Sequence, residues 1–470
     1  QAEDGIRDRS PSRGLGDVYK RQVLAHKLGT QQRGSNDPDQ GFVHRKPLLM
    51  ENGHLLGIRL QGVLVPPQRW GGDPVKNSEF AACDGGRLQC IRLCLPLLGF
   101  LHLLADVLRR KLEFDGYSVT QVMNITDVGH LNEFEEDIIE IAAARTGMHA
   151  GELIEKEEKL FHEDRKAINI ADAQHYPRAR EHISDMIAMI EKIDQRGYAY
   201  HADGNVYLDS SKVQGLGRLT KKGKDELEKQ LQSLRTPSHP GKRHVLDIDL
   251  WRTDVDHQRH WPSPWGRGFP GWHVECVAMA QKYLGAPFDI HTGAHDNVFP
   301  HHECEIVEAE ALVGELLARY WLHSGEVRVD GQPMSLKSRN IVTVHELIHD
   351  GFRGAVVRLV LLSAPYGSLL DVNESSFDTA REQANAFIGF HEYLVEEAQG
   401  NPADADSETA NWIRETDAAF VSALDDDLNY PAALSAVVDT INLREPDHVG
   451  PPAHALAAVE RWDSVLGLAE

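Results

Sequence analysis

GWHVECVAMAQKYLGAPFDIHTGAHDNVFPHHECE, residues 271–305, is the stretch on which the interpretation of the whole chain rests. Two runs with the apolar spacing of helices, one around Cys276 and one that begins at His301, enclose a short strand-like run. His301 and Glu305 are four residues apart and therefore share one helix face. A thiolate, an imidazole and a carboxylate from two helices are three suitable zinc ligands, and they leave a fourth position for solvent or substrate. Such residues also occur in helices that bind no metal, so the spacing by itself permits both interpretations.

The composition indicates an ordinary globular protein. A chain of 470 residues is long enough for two or three domains, and its hydrophobic content of 41% supports well-packed cores. No apolar run is long enough for a membrane span, and five scattered cysteines do not form a disulfide framework, so we expect a protein of the reducing cytoplasm. The net charge of −23 argues against non-specific nucleic-acid binding, although the clusters at 109–111, 221–224 and 242–244 provide local positive charge.

Several motifs, all in the same order, carry a resemblance to one enzyme family. GWHVEC followed by FDIHTGAHDNVFPHHECE resembles the cysteinyl-tRNA synthetases, whose pattern is GWHIEC followed by FDIH, a glycine-rich turn and FPHHENE. The likeness continues through ADVLRRKLEFDGYSVTQVMNITDVGHL, GYAYHADGNVYLD, WPSPWGRGFPGWH, YWLHSGEVRVDGQPMS and ALDDDLNYPAAL. It covers about residues 103–470.

The resemblance implies an α/β fold with a class I Rossmann-type catalytic domain. We expect this domain at 103–365, a mainly helical insertion at about 133–262, and a C-terminal helical bundle at 366–470 with a truncated anticodon-binding region. The residue patterns agree, because 133–196 has helical spacing and both GYAYHADGNVYLD and GEVRVDGQPMS read as hairpins with an Asp-Gly turn. YSVTQVMNI reads as a strand, and the carboxyl ends of strands are where open α/β sheets bind ligands.

The N-terminal region departs from the family. Residues 1–22 resemble a translated sequencing adaptor, and we interpret 23–102 as an aberrant or disordered segment. The family's Cys-Gly-Pro element and its HIGH signature should lie there, and neither motif is present. Cys94 is the one cysteine in this region that could serve as a fourth metal ligand, although a buried structural cysteine explains it equally.

Most candidate site residues follow from the resemblance. It assigns the cysteine pocket to Asn124, Thr126, Trp272 and His273, and ATP binding to His291, Gly293, Asp296, Met334 and Lys337. It assigns catalysis to Ser335 and Lys337, in a loop where the family has KMSKS and this chain has PMSLKS, with Pro333 and Leu336 at the lysine positions. Ala294 replaces a usual glycine in the nucleotide turn, and Cys304 stands beside two proposed ligands on another helix face.

The function implied is cysteine–tRNA ligation with Zn²⁺ as cofactor and with cysteine, ATP (with Mg²⁺) and tRNA(Cys) as substrates. We expect a cytoplasmic protein, a monomer with no membrane partner. Two alternatives remain open: a related ligase that joins cysteine to an amino sugar, and a homologue that keeps the fold without catalysis. The absent HIGH and the altered KMSKS predict slow chemistry, because preorganised positive charge at the reacting phosphates lowers the barrier.

Overall fold

The computed structural model describes residues 95–128, 137–234, 239–253, 259–334, 340–400, 410–443 and 451–469, and the backbone of 77–82. Within these ranges no helix has the length and apolar character that a bilayer crossing requires. The strands are β1 (Asn77–Ala82), β2 (Ser118–Met123), β3 (Ala199–Ala202), β4 (Asn205–Leu208), β5 (Ile248–Arg252), β6 (Phe269–Pro270), β7 (Phe288–Ala294), β8 (Ala318–Ser324), β9 (Val327–Val329), β10 (Gln332–Pro333) and β11 (Leu370–Val372).

Thirteen α-helices lie in the described ranges. They are α1 (Leu95–Phe114), α2 (Ile138–Thr146), α3 (Ala150–Ala167), α4 (Ile183–Gln195), α5 (Lys224–Ser233), α6 (Trp272–Leu284), α7 (His301–Val313), α8 (Val344–His349), α9 (Gly354–Leu361), α10 (Glu374–Gly400), α11 (Asn411–Asp425), α12 (Tyr430–Asn442) and α13 (Pro452–Leu466). The helices and strands predicted from the 271–305 stretch are therefore present as α6, β7 and α7.

The central sheet is parallel and has the strand order β2-β1-β7-β8. Its β1 lies inside the 23–102 segment that the sequence indicated as aberrant, so part of that segment is built into the centre of the sheet. Helix α1 also begins in this segment, at Leu95, about eight residues before the family resemblance starts at 103. Pro96 stands in the first turn, where a proline removes no helical hydrogen bond, so it does not prevent this earlier start.

The insertion between β2 and β7 combines helices α2–α5 with an antiparallel sheet of order β3-β4-β5-β6. The predicted hairpin is present as β3 and β4, and its turn residues Asp203 and Gly204 have φ of 52° and 82°, as a tight Asp-Gly turn requires. The strands β5 and β6 extend this hairpin, and their shortness gave no clear pattern in the sequence. Strands therefore contribute more to the insertion than the single predicted hairpin.

The C-terminal helices pack on the catalytic domain through a buried ion pair. Arg358 of α9 has no exposed surface, and its Nη2 donates to Asp106 Oδ2 of α1 at 2.6 Å. The same guanidinium donates to the backbone oxygens of Leu466 at 2.7 Å and Asn169 at 3.0 Å. One side chain therefore joins the helical bundle, the first Rossmann helix and the start of the segment that follows α3.

Candidate active site and metal centre

The predicted metal ligands meet where two helices face the carboxyl end of the central sheet. Cys276 lies in the second turn of α6, and His301 and Glu305 lie in the first two turns of α7. His291 lies in β7 behind them, and Asn124 follows the end of β2. All five side chains are buried. The parallel sheet thus delivers side chains to the point where the two helices converge.

The three ligand atoms have the spacing of one metal site. Cys276 Sγ lies 3.4 Å from His301 Nε2, and this nitrogen lies 3.0 Å from Glu305 Oε1. Edges of about 3.3–3.6 Å are expected between tetrahedral zinc ligands with these donor types, so the nitrogen–oxygen distance is slightly shorter than in a metal-bound site. Glu305 Oε1 is buried, and apart from its close approach to His301 Nε2 it makes no well-oriented hydrogen bond with a described residue. A cation held by Cys276, His301 and Glu305 would satisfy that oxygen, so the donor set fits zinc.

A second set of side chains orients these three donors. His273 Nδ1 lies 2.8 Å from His301 Nδ1, His291 Nε2 lies 2.8 Å from Glu305 Oε2, and Asn124 Nδ2 donates to Cys276 Sγ at 3.3 Å. If His301 Nε2 binds a metal, its Nδ1 must carry a proton and donate it to His273. Such outer contacts fix ring orientation and tautomer in known metal sites. Each of the three candidate ligands therefore has a supporting side chain outside the ligand set.

The charges of the buried groups agree with this arrangement. Burial acts to raise the pKa of Glu305, but His291 and His301 outweigh it and hold this pKa well below its usual value. Burial, together with His291, holds the pKa of His302 well below its usual value. The pKa of His323 falls to about 4 for the same reasons. At neutral pH the site therefore contains an ionised Glu305 carboxylate and, further from the donors, the neutral imidazoles of His302 and His323.

His291, His302 and Glu305 form a second group whose donor atoms are close enough for a metal ion. Glu305 belongs to both groups, and its Oε2 already pairs with His291. His302 Nδ1 lies 2.7 Å from His323 Nε2, and the His291 ring stacks on Trp321 with centroids 4.5 Å apart. We interpret this second group as a hydrogen-bonded support for Glu305, and Cys276, His301 and Glu305 stay the predicted ligands.

A cavity of about 420 Å³ lies next to the metal ligands. Trp272 and His301 form one wall, and their rings are stacked with centroids 4.0 Å apart. The 295–300 turn after β7 forms a second wall, which includes Asp296. The insertion forms a third wall with Thr220 and Lys222. The cavity is thus bounded by an aromatic surface, a polar turn and a basic loop.

Comparison with known proteins identifies the family. The model of the class I tRNA synthetase catalytic domain of type C matches residues 101–382. The cysteine–tRNA ligase of Thermococcus gammatolerans is 38% identical over 342 residues, which are 72% of this chain and 70% of that protein. The cysteine–tRNA ligase of Bacillus licheniformis is 34% identical over 376 residues, 77% of this chain and 78% of that protein. The chain belongs to the cysteine–tRNA ligase family.

Solved structures of other class I synthetases share the fold. The methionyl-tRNA synthetase of Mycobacterium tuberculosis in complex with methionyl-adenylate has a TM-score of 0.58 at 15% identity and covers 84% of this chain and 90% of its own. The leucyl enzyme of Agrobacterium radiobacter K84, solved in a ternary complex with tRNA, has a TM-score of 0.61 at 9% identity and covers 85% and 84%. At these identities the likeness shows the fold alone, and it confirms the predicted class I architecture.

The structure brings most of the expected family residues to one place. Asn124, Trp272 and His273 contact the metal ligands as described, and Thr126 is buried two residues beyond Asn124. Asp296 is exposed and lines the cavity. Ser335, Lys337 and Cys94 lie outside the described residues, so their predicted roles stay predictions.

Other residues lie elsewhere than the family pattern suggested. His291 was assigned to ATP, but it is fully buried and its ring contacts Glu305 and Trp321, which indicates a role in orienting the metal ligand. Gly293 is buried against His302, and Met334 packs on the core of the C-terminal bundle. Cys304 lies in the core between α6 and α7, outside both groups of metal-binding side chains.

Two acidic residues of α7 were not among the predicted site residues. Glu303 accepts hydrogen bonds from the backbone N–H groups of Gly217 and Thr220, at 2.9 and 2.6 Å. Glu310 accepts from the N–H groups of Gln214 and Gly215, at 2.9 and 2.7 Å. The signal that could have revealed them is the composition of α7, which carries four glutamates although eleven of its thirteen residues are buried.

Proposed function

We propose that this chain activates cysteine with ATP and transfers it to tRNA(Cys), with a zinc ion at Cys276, His301 and Glu305 selecting the amino acid. The observation that carries this proposal is the buried donor set next to the cavity, in which the Cys276, His301 and Glu305 donor atoms all lie within 4.8 Å of one another. A zinc ion bound there would supply an open position for a soft thiolate, which the oxygen of serine fills poorly. Cysteine would thus be selected at the binding step, without an editing site.

The side chains of the pocket have distinct tasks in this proposal. Asn124 donates to Cys276 Sγ and so favours the thiolate form of this ligand. His273 and His291 hold His301 and Glu305 in the orientations that direct their donor atoms toward one point. Trp272 forms the apolar wall against which the short side chain of cysteine packs, while it shields the metal ligand His301 from water.

ATP takes part in the first step. The cysteine carboxylate attacks the α-phosphorus of ATP (with Mg²⁺), and the bond between the α-phosphorus and the bridging oxygen to the β-phosphate breaks. The products are cysteinyl-adenylate and pyrophosphate. In the second step a ribose hydroxyl at the 3′ end of tRNA attacks the acyl carbon, and AMP leaves. We propose that Asp296, exposed at the cavity wall, accepts a ribose hydroxyl of ATP. Ser335 and Lys337 keep their predicted role at the phosphates.

The acceptor is the point on which the alternatives differ. The relatives that match over most of this chain are cysteine–tRNA ligases, and nothing in the cavity favours an amino sugar. We therefore propose tRNA as the acceptor and a monomeric enzyme of the cytoplasm. Parallel assays with labelled cysteine, one with tRNA and one with a glucosaminyl-inositol acceptor, would distinguish the two ligases, and gel filtration would test the monomer.

The zinc site can be tested with the two buried cysteines. We expect one equivalent of zinc in the purified wild-type chain and in Cys304→Ala, because Cys304 lies in the core away from the donors. Cys276→Ala should lose the metal. Full zinc content in Cys276→Ala, measured by plasma emission together with a circular dichroism spectrum that confirms folding, would rule out this site.

Amino-acid selection gives a second test that does not need turnover. A ligand that binds only the folded state raises the melting temperature, so cysteine should stabilise the protein much more than serine at equal concentration. Trp272→Ala should reduce the cysteine shift. Equal shifts from cysteine and serine in the zinc-loaded protein would contradict selection by the metal.

A further inference from the structure

Glu303 connects the metal helix to a loop of the insertion. It lies on α7 between the ligands His301 and Glu305, and its side chain is fully buried. Its two carboxylate oxygens accept the backbone N–H groups of Gly217 and Thr220. Two hydrogen bonds to one ionised group hold a backbone segment strongly, because bonds to charged acceptors contribute about twice as much as neutral ones. The 217–220 segment is therefore fixed to the helix that bears the metal ligands.

The shape of this segment depends on a glycine. Gly217 has φ of 86°, and a Cβ atom at this position would lie 2.1 Å from the backbone oxygen of Lys222. The backbone therefore folds back on itself between these two residues. We call residues 217–222 the insertion turn. Its compact shape brings Thr220 and Lys222 to the same cavity that Trp272 and His301 line.

The insertion turn presents two polar groups at the cavity. Thr220 lines the cavity, and its Oγ1 has no hydrogen-bond partner among the described residues; this oxygen is covered in the structure, so it reaches a ligand only after its side chain rotates. Lys222 Nζ donates to Gln230 Oε1 at 2.6 Å, a neutral partner that leaves the positive charge of the ammonium uncompensated by this bond. A hydroxyl and a cation at one wall are suited to a ribose hydroxyl and a phosphate. In a chain of net charge −23, a cation at this wall is a specific feature.

The position of the turn indicates which nucleotide these groups contact. ATP is expected at the carboxyl ends of β2 and β7, because ligands of open parallel sheets bind there. Activated cysteine lies at Trp272 and His301 in the proposed function. The hydroxyl that attacks it must therefore enter the cavity from the remaining wall, which the insertion turn forms.

We infer that Glu303 is a positioning residue for the transfer step: it fixes the insertion turn so that Thr220 and Lys222 contact the 3′-terminal nucleotide of tRNA. This inference rests on the proposed function. Glu310 provides the internal comparison, because it holds Gln214 and Gly215 through the same pair of backbone contacts but neither residue lines the cavity.

The test measures binding, so it does not depend on the catalytic rate. The dissociation constants of the full chain would be measured for fluorescently labelled tRNA(Cys) and for the same RNA without its terminal adenosine. The wild-type chain should bind intact tRNA more tightly than the shortened RNA. Glu303→Gln keeps the size of the side chain but replaces one acceptor oxygen by an NH₂ group that opposes a backbone N–H. We expect it to weaken binding of intact tRNA about tenfold, with little effect on the shortened RNA.

Matched variants separate the contact from general loss of structure. Glu310→Gln should retain the wild-type preference for intact tRNA. Lys222→Met should lose the preference, whereas Lys221→Met should retain it, because Lys221 Nζ donates to the backbone oxygen of Arg218 and Lys221 does not line the cavity. Zinc content should remain at one equivalent in all four variants.

The outcomes that overturn the inference are distinct from those that overturn the proposed function. If Glu303→Gln loses zinc, or weakens the binding of both RNAs equally, Glu303 only stabilises the helix and the inference is wrong. If Lys222→Met keeps the preference for intact tRNA, the proposed contact between Lys222 and the 3′-terminal nucleotide is wrong. A wild-type chain that binds cysteine and tRNA but does not distinguish the two RNAs refutes the inference alone. A wild-type chain that binds neither refutes the proposed function, and the inference with it.

Discussion

The packing of Gly293 against His302 makes Gly293→Ala a sharp test of the site. A Cβ atom at Gly293 would lie 2.2 Å from His302 Cε1 and 2.8 Å from His302 Nε2, and real Cβ contacts of this kind are not found below 3.0 Å. To reach an ordinary contact of about 3.4 Å, the imidazole would have to move by about 1.2 Å. His302 has no exposed surface, so it has no open space into which to move.

Contacts on the other sides of His302 determine how much stability Gly293→Ala costs. Its Nδ1 pairs with His323 Nε2 at 2.7 Å, and its ring lies against the rings of His291 and Trp321, with centroids 4.6 and 4.9 Å away. Displacing the ring disturbs all three neighbours. Overpacking of a filled core typically costs about 1–3 kcal/mol, and we expect about 2–3 kcal/mol here because a buried hydrogen bond is strained as well.

The assay compares Gly293→Ala with an alanine substitution at a glycine that has free space for a Cβ atom. Gly367→Ala adds a Cβ atom that meets nothing within 4 Å, so its urea midpoint should stay close to wild type, within about 0.5 kcal/mol. Gly293→Ala should unfold at lower urea and, because His291 links the displaced ring to Glu305, should release zinc to a chelator faster. If Gly293→Ala matches Gly367→Ala in both measurements, the turn relaxes freely and the packing argument is wrong.

Three further predictions concern stability, pH and activity. Arg358→Met should lower the free energy of unfolding by about 3 kcal/mol, since buried Asp106 keeps only Arg110 as an ion-pair partner and the backbone oxygen of Leu466 loses its donor. Lys282→Met at an exposed pair should change it by less than about 1 kcal/mol, and equal urea midpoints for the two variants would contradict this. The pKa of His323 is lowered to about 4, so the stability that this neutral side chain contributes is full above about pH 6.5 and is lost as pH falls toward 4. Between pH 7 and pH 5 the free energy of unfolding should therefore fall by about 2 kcal/mol more in wild type than in His323→Asn. Equal losses in the two proteins would refute this assignment. Cysteine-dependent pyrophosphate exchange by the unmodified chain should be undetectable or very slow. It should recover in part when residues 1–102 are replaced by a family sequence with Cys-Gly-Pro and HIGH, and it should rise again when Pro333 and Leu336 are changed to lysine. Fast exchange by the unmodified chain would show that other groups hold the phosphates.

The sequence predicted best what depends on local spacing. The helices of the 271–305 stretch and both Asp-Gly hairpins were found near their expected positions, and the region expected as a helical bundle contains α10–α13. The three candidate metal donors were proposed because His301 and Glu305 share a helix face and Cys276 lies in the neighbouring helical run; the structure brings them together, and metal binding by them stays a prediction. The early start of α1 at Leu95 and the place of β1 in the sheet were not predicted, since both lie in a region without a family pattern.

The supporting contacts of the site could not be predicted, because they join residues that are far apart in the sequence. Asn124 and Cys276 are separated by 152 residues, and Glu303 is 86 residues from Gly217. No local pattern gives the direction of such a side chain.

The composition of α7 shows why metal binding and acceptor positioning belong to one element. Helix α7 carries four glutamates, and three of them (Glu303, Glu305 and Glu308) are buried, which is costly unless each has a partner or is neutral. Glu305 has histidines and the proposed metal, and Glu303 and Glu310 have backbone N–H groups of the insertion. Glu308 has no hydrogen-bond partner among the described residues, and burial, with Glu305 nearby, raises its pKa well above the usual value, which favours its neutral form. The contacts of α7 with the candidate metal site on one side and with the insertion on the other therefore depend on the same helix.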